Sequence, residues 1–271
     1  LRKLGDLTTY TETSVGTLTG LDATGDRMQQ IVSSELYGLN GQFIYKVAAD
    51  GTFTEKAFTL DDYLVGVSLA NKGNHVAILC KYQNNENKSK VIFWDKTKTS
   101  GSIDEVDISS GGPQWITNHG DVLRVLCAKN GTAQFFEVQA GMHAVKPHEL
   151  DNMQTETDAQ PIYPVNTVFV DNNILYFGLR KTDKTGLYAL GRVTEGSPLA
   201  LILAKRFDTS DYSLHKPYAA NKFGNNWFCA FDDNATADNK RIEGSNSPTR
   251  SSNATYESIW FDAGNPEAVK D

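Results

Sequence analysis

A chain of 271 residues, 39% hydrophobic and 22% charged, is long enough to bury a substantial core. Its formal charge of −7, with Lys and Arg scattered rather than clustered, argues against a nucleic-acid groove built by this segment. No apolar run reaches the roughly 20 residues of a membrane span, and three cysteines in no framework spacing do not describe a disulfide scaffold.

Taken in chain order, residues 1–16 hold a cluster of strand formers: Thr8, Thr9, Tyr10, Thr11 and Thr13. Residues 22–33 show a weak helical periodicity that the repeat pattern outweighs. Clear strands follow at 36–39 and 43–47. Along the chain a polar pair repeatedly launches a short apolar run. The pairs are Gly25-Asp26, Gly73-Asn74, Gly120-Asp121, Asn172-Asn173 and Asn225-Asn226. Their second residues are spaced by 48, 47, 52 and 53 positions. Such pairs supply the positive φ of a hairpin turn. The runs after the last four begin at His75, Val122, Ile174 and Trp227, and each reads as a strand buried on both faces.

Further strands surround each run. A second one follows at 91–94, 134–138, 187–190 and 258–261, with an aromatic near its middle: Trp94, Phe136, Tyr188 and Trp260. One precedes each turn at 63–69, 114–117, 166–170 and 217–220. Outer strands fall at 103–108, 144–146 and 199–207. Four short strands per unit at a period near 50 residues predict an all-β fold, a β-propeller of about five four-stranded antiparallel blades. Residues 1–16 are expected to pair with 256–262 and close the ring, because an open ring leaves two unpaired edges. The whole of 1–271 reads as one propeller domain. It begins at Leu1 and stops at Asp271 just after a strand, so it is expected to be a piece of a longer chain. Residues 232–255 hold a single sizeable apolar side chain, Ile242, and are expected to project from the rim as a loop.

Chemical motifs are few. No phosphate loop, dinucleotide fingerprint, His-Glu-x-x-His or Cys-x-x-Cys occurs. Of the five histidines, His75 and His119 sit beside turns, His143 and His148 flank Lys146-Pro147 at a spacing that suits no known ligand pair, and His215 stands alone. Cys80 and Cys127 share a repeat position inside apolar strands and read as reduced core residues. Four sequons at Asn87, Asn130, Asn234 and Asn253 read as products of turns rich in Asn, Ser and Thr. The acidic candidates are Asp61-Asp62, Asp95, Asp208, Asp211 and Asp232-Asp233. A sugar-cleaving propeller needs a general acid and a base or nucleophile converging on one mouth. Asp61-Asp62 precedes an inner strand, but the positions aligned with it in later units are Pro113-Gln114, Val165-Asn166 and Lys216-Pro217, so the set is incomplete. Asp232, Asp233, Asn234 and Asp238 could offer oxygens to Ca²⁺, though their spacing is not that of an EF-hand loop. The sequence thus assigns no catalytic, cofactor-binding or metal residue and no cofactor.

The segment Tyr256 to Lys270, with its Asp262-Ala263-Gly264-Asn265-Pro266 turn, resembles a stretch of tailed-bacteriophage tail or connector proteins. Such a resemblance implies a structural virion part that is not an enzyme, packed against copies of itself, with contacts at 232–255 and at the turns 84–89 and 181–186. On that expectation the location is the virion, the partners are protein subunits, and neither nucleic acid nor membrane is bound. The alternative is an extracellular carbohydrate-binding or glycoside-cleaving propeller.

Overall fold

The structure is a computed structural model that describes residues 2–6, 11–14, 16–19, 29–101, 104–108, 111–120, 122–129, 132–139, 143–150, 165–179, 186–192, 199–206, 216–223, 226–232 and 240–244. Among them every sheet is an antiparallel meander. The chain divides into two compact units, Leu1–Asn166 and Thr167–Asp271.

The first unit opens with a hairpin, β1 (Arg2–Asp6) against β2 (Thr11–Ser14). Arg2–Asp6 and Thr11–Ser14 thus pair with each other, and 256–262, the expected partner of this segment, lie outside the described residues. Three four-stranded sheets follow. Sheet one holds β3 (Gln29–Val32), β4 (Glu35–Asn40), β5 (Phe43–Val47) and β6 (Phe53–Thr59). Sheet two holds β7 (Leu64–Lys72), β8 (His75–Tyr82), β9 (Asn85–Trp94) and β10 (Asp104–Ile108). Sheet three holds β11 (Gly112–His119), β12 (Val122–Lys129), β13 (Thr132–Gln139) and β14 (His143–Leu150). In the second unit a 3₁₀ turn ends at Thr167, before a four-stranded sheet of β15 (Phe169–Asp171), β16 (Ile174–Leu179), β17 (Gly186–Arg192) and β18 (Leu199–Arg206). A last sheet holds β19 (Lys216–Phe223), β20 (Asn226–Asp232) and β21 (Lys240–Gly244). Five successive meander sheets are the build of a β-propeller.

In sheets one, two and four, where both turn residues are described, the first two strands meet in a tight two-residue turn, as repeated polar pairs predict. Lys72 faces His75 across Gly73-Asn74, and Asp171 faces Ile174 across Asn172-Asn173. Gly73 has φ +58°, and the two asparagines have φ 47° and 61°. The first unit differs from expectation. The turn between the first two strands of its sheet is Ser33-Ser34, with φ 50° and 65°, joining Val32 to Glu35, and Gly25-Asp26 lie outside the described residues. Serine is a weak positive-φ residue, so the sequence pattern passes over it.

Register shows a second repeat that the sequence does not announce. The first strand of three sheets bulges at the same place: between Gly66 and Ser68, between Pro113 and Trp115, and between Pro217 and Ala219. Proline is tolerated in a strand at such a bulge, where the ladder is already interrupted. The bulge also corrects the alignment of the acidic pair. Gly66 is the structural counterpart of Pro113 and Pro217, so Asp61 and Asp62 lie ahead of β7, in the connection from sheet one.

In the first unit two cores fill the spaces between sheets. Between sheets one and two pack Tyr37, Phe58, Leu64, Ile78, Ile92 and Trp94; between sheets two and three pack Leu79, Val91, Phe93, Ile116, Val125 and Phe136. Trp94 stacks on Phe58 at 5.1 Å between centroids, meets Tyr37 edge-on at 5.5 Å, and donates its indole N–H to the Lys98 carbonyl at 2.7 Å. Trp94, Phe136 and Tyr188 are all buried, as expected, and Trp260 lies outside the described residues. Their positions are not all equivalent. Phe136 faces Val125 and Tyr188 faces Phe177, but the matching place in sheet two is Ile92 facing Ile78, two residues before Trp94.

Residues 240–244, expected within a projecting loop, form β21, with Ile242 opposite Ala230. Its five residues Lys-Arg-Ile-Glu-Gly carry too little apolar pattern to signal a strand. They take the place beside β20 that the sequence reading gave to 258–261, a segment outside the described residues.

Candidate functional site

The connection from sheet one into sheet two is held by two glutamines. Gln42, in the β4–β5 turn, and Gln83, in the β8–β9 turn, both donate side-chain N–H groups to the Asp62 carbonyl, at 2.9 and 2.8 Å. Backbone bonds complete the anchorage: Leu60 N–H to the Gln42 carbonyl at 2.9 Å, Gly66 N–H to the Gly41 carbonyl at 3.0 Å, and Gln83 N–H to the Tyr63 carbonyl at 2.9 Å. A loop fixed at so many points presents its side chains in set directions.

Two tyrosines lie there. Tyr63, from the loop, is 45% exposed, and its ring stacks on that of Tyr82, at the end of β8, with centroids 5.7 Å apart and planes 24° apart. Tyr63 donates its hydroxyl to Asp61 Oδ2 at 3.0 Å, and Tyr82 donates to Asp107 Oδ1, on β10, at 3.1 Å. The Asp61 carboxylate raises the Tyr63 phenol above its ordinary range; burial and then the bond to Asp107 do the same for Tyr82.

Lys90 of β9 lies beneath this pair. Register places it opposite Cys80 on one side and Asp107 on the other, on the sheet face that also carries Ile92 and Trp94. Its ammonium lies 2.7 Å from Glu105 Oε1 and 3.7 Å from Asp107 Oδ1, and 5.9 Å from the Tyr82 ring centroid. Only 6% of its side chain is exposed. Burial works against the charge, but the two carboxylates outweigh it, so the amine stays protonated beyond its usual range. The result is an exposed aromatic step edged by carboxylates, with one buried cation holding them in place.

The other candidates are apart from it. Asp95 accepts from the Thr97 N–H and hydroxyl at 2.9 and 2.7 Å, and so closes a turn. His75 is exposed at the start of β8. His119 is buried in sheet three and accepts at Nδ1 from Arg124 Nε at 2.7 Å, while Arg124 also pairs with Glu137 at 2.5 Å. That arrangement settles the charge of a buried guanidinium. His143 and His148 lie on β14, and Asp232 ends β20. His215, Asp208, Asp211, Asp233, Asn234 and Asp238 lie outside the described residues, so the Ca²⁺ reading falls there too. Cys80, Cys127 and Cys229 are buried. Among the described residues no group of three or more His, Cys, Asp or Glu side chains could hold a metal ion, and no helix is long and apolar enough to cross a membrane.

Of the sequence candidates among the described residues, the structure brings only Asp61 and Asp62 to this place. Sequence reasoning missed Tyr63, Tyr82, Lys90, Glu105 and Asp107. One signal was available: Lys90 interrupts the approach to the apolar run 91–94, and a lone charge beside a buried strand needs a partner. Which partner it finds depends on the β9–β10 register, which no local pattern reveals.

No family model matches the chain, and no curated protein does. Among solved structures it is similar to a protein from Lactobacillus plantarum, at 14% identity and a TM-score of 0.50, over 89% of this chain and 86% of that one. It is also similar to a candidate 6-phosphogluconolactonase from Bacteroides uniformis ATCC 8492, at 14% identity and a TM-score of 0.49. That match covers 74% of this chain and 62% of the other, so the chain spans less than two-thirds of the Bacteroides protein's length. At such identity the likeness concerns the fold, and it agrees with the all-β propeller. The expectation of a structural virion part that is not an enzyme is corrected here: the solved structures to which this fold is similar are not phage tail proteins. The segment 256–270, which carried the phage resemblance, lies outside the described residues.

Proposed function

We propose that the protein handles a hydroxyl-rich small molecule, a sugar or sugar derivative, on the Tyr63–Tyr82 step of its first unit. One observation carries this reading: a stacked, partly exposed aromatic pair whose hydroxyls donate to two neighbouring carboxylates, Asp61 and Asp107. The aliphatic face of a sugar ring packs on an aromatic ring, and its hydroxyls donate to carboxylates, so the two halves of the surface match the two halves of that ligand. Asp61 and Asp107 already accept from tyrosine hydroxyls and keep further lone pairs for a ligand.

The supporting comparison is at the level of fold alone, so the reading rests on this geometry. Its test is a binding and turnover panel of monosaccharides, oligosaccharides, amino sugars, sugar phosphates and sugar lactones against the wild type and Tyr63→Ala. Exposed Tyr63 can be truncated with little effect on folding. Binding of at least one class, weakened tenfold or more by Tyr63→Ala, is the expected result, and product formation in the same panel shows whether the ligand is turned over. Binding that Tyr63→Ala leaves unchanged, or none across the panel, would contradict the proposal.

A further inference from the structure

Resting on the sugar-handling reading, we infer that this site selects its ligand by charge: it favours amino sugars over neutral ones and rejects phosphorylated or acidic ones. The charged groups acting on Tyr63 are Asp61, Lys90 and Glu105, and those acting on Tyr82 are Lys90 and Asp107. Three carboxylates against one ammonium leave a formal charge of −2 around the aromatic step. Position matters more than the count. The single cation is spent internally, 2.7 Å from Glu105, 3.7 Å from Asp107 and beneath the Tyr82 ring, with 6% of its side chain exposed. An incoming phosphate cannot reach that ammonium without displacing a carboxylate from it. The side chain of Asp107 is 71% exposed and that of Glu105 35% exposed, so the charge facing solvent beside the rings is negative.

A ligand ammonium would find acceptors with lone pairs left over and would add a cation beside two aromatic rings. A ligand phosphate would meet the like charge of Asp61, Glu105 and Asp107. For charges about 4 Å apart in a water-like medium, the Coulomb term is worth roughly a fivefold change in affinity per unit charge, and more where the ligand excludes water. Added salt weakens it.

Three probes with one ring shape decide the matter: glucosamine, methyl glucoside and glucose 6-phosphate, titrated by ligand-observed NMR against wild type, Tyr63→Ala and Asp107→Asn. Asp107 is exposed enough that its amide is expected to fold, which circular dichroism checks. The expected affinity order is glucosamine, methyl glucoside, glucose 6-phosphate, with at least about fivefold between the first and the last. Asp107→Asn narrows that ratio, and so does 0.5 M salt. Glucose 6-phosphate binding as tightly as methyl glucoside, and lost in Tyr63→Ala, would overturn the charge selection while leaving the sugar-handling reading intact. Failure of all three probes to bind would overturn the charge selection, and the sugar-handling reading falls with it only if the whole panel also fails to bind.

Discussion

Trp94 is the residue on which the first two sheets close. Its ring stacks on Phe58, meets Tyr37 edge-on, and keeps its N–H satisfied inside the core. Truncation to Ala removes a large buried ring from a site bounded by two sheets that cannot collapse freely. The expected cost is roughly 3–5 kcal/mol in urea unfolding; a loss below about 1 kcal/mol would mean the ring is not packed there. Titratable residues make a second prediction. Glu35 accepts from the Tyr37 hydroxyl and from Lys46 Nζ at 3.0 Å, and these bonds, the first the larger, hold its carboxyl below the ordinary range. A depressed folded-state pKa gives stability that is present above the ordinary carboxylate range and lost as pH falls through the lowered value. Glu35→Gln is therefore expected to flatten the acid side of the stability profile, read as thermal midpoint against pH. At the alkaline end the sign reverses. Burial pushes the Cys127 thiol up to about 12, despite a bond with Ser89 that lowers it. Its contribution is complete below the ordinary thiol range near 9 and is lost as pH rises above that range. At pH 8 the folded protein should react with a thiol reagent orders of magnitude more slowly than the urea-unfolded chain. Comparable rates would show Cys127 to be accessible.

Among the elements, turns were the most legible and short strands with few apolar side chains the least. Gly73 shows why. It has φ +58° and no atom within 4 Å of where a Cβ would stand, so Gly73→Ala meets no clash and its whole cost is conformational. That cost should be about 1 kcal/mol. A Gly178→Ala change is of another kind. Its Cβ would lie 2.8 Å from Thr167 Oγ1, which accepts from the Gly178 N–H at 2.7 Å, so it should cost more than the turn substitution. Equal unfolding midpoints for the two variants would contradict that distinction. The same physics governs what the sequence could disclose. Polar pairs with positive φ stand out because few residues adopt it, so Gly73-Asn74 and Asn172-Asn173 were found, and Ser33-Ser34, made of residues common everywhere, was not. Apolar runs gave β8, β12 and β16. β21, with one apolar side chain, owes its place to backbone pairing with β20 and left no pattern to read. The candidate site was legible only at Asp61 and Asp62. Its remaining members come from strands β8, β9 and β10, and only their register brings Tyr82, Lys90, Glu105 and Asp107 together.

At the scale of the molecule, five meander sheets arise from one local rule, a polar turn followed by a doubly buried strand, and three of them share an inner-strand bulge as a second mark of repetition. Repetition of this kind fixes a scaffold and leaves chemistry to the places where one unit departs from the others. Sheet two makes such a departure: only there does the entering loop carry Asp61-Asp62-Tyr63, and only there among the described residues does a buried lysine hold two carboxylates beside stacked tyrosines. The central claim is that this place, in the first unit, receives a hydroxyl-rich ligand. Its most direct test is a crystal of the protein soaked with the tightest-binding sugar of the panel. Density for the sugar ring across Tyr63 and Tyr82, with hydroxyls or an amine within hydrogen-bond distance of Asp61 or Asp107, is the predicted result; ordered sugar elsewhere on the protein, with this step empty, would contradict it.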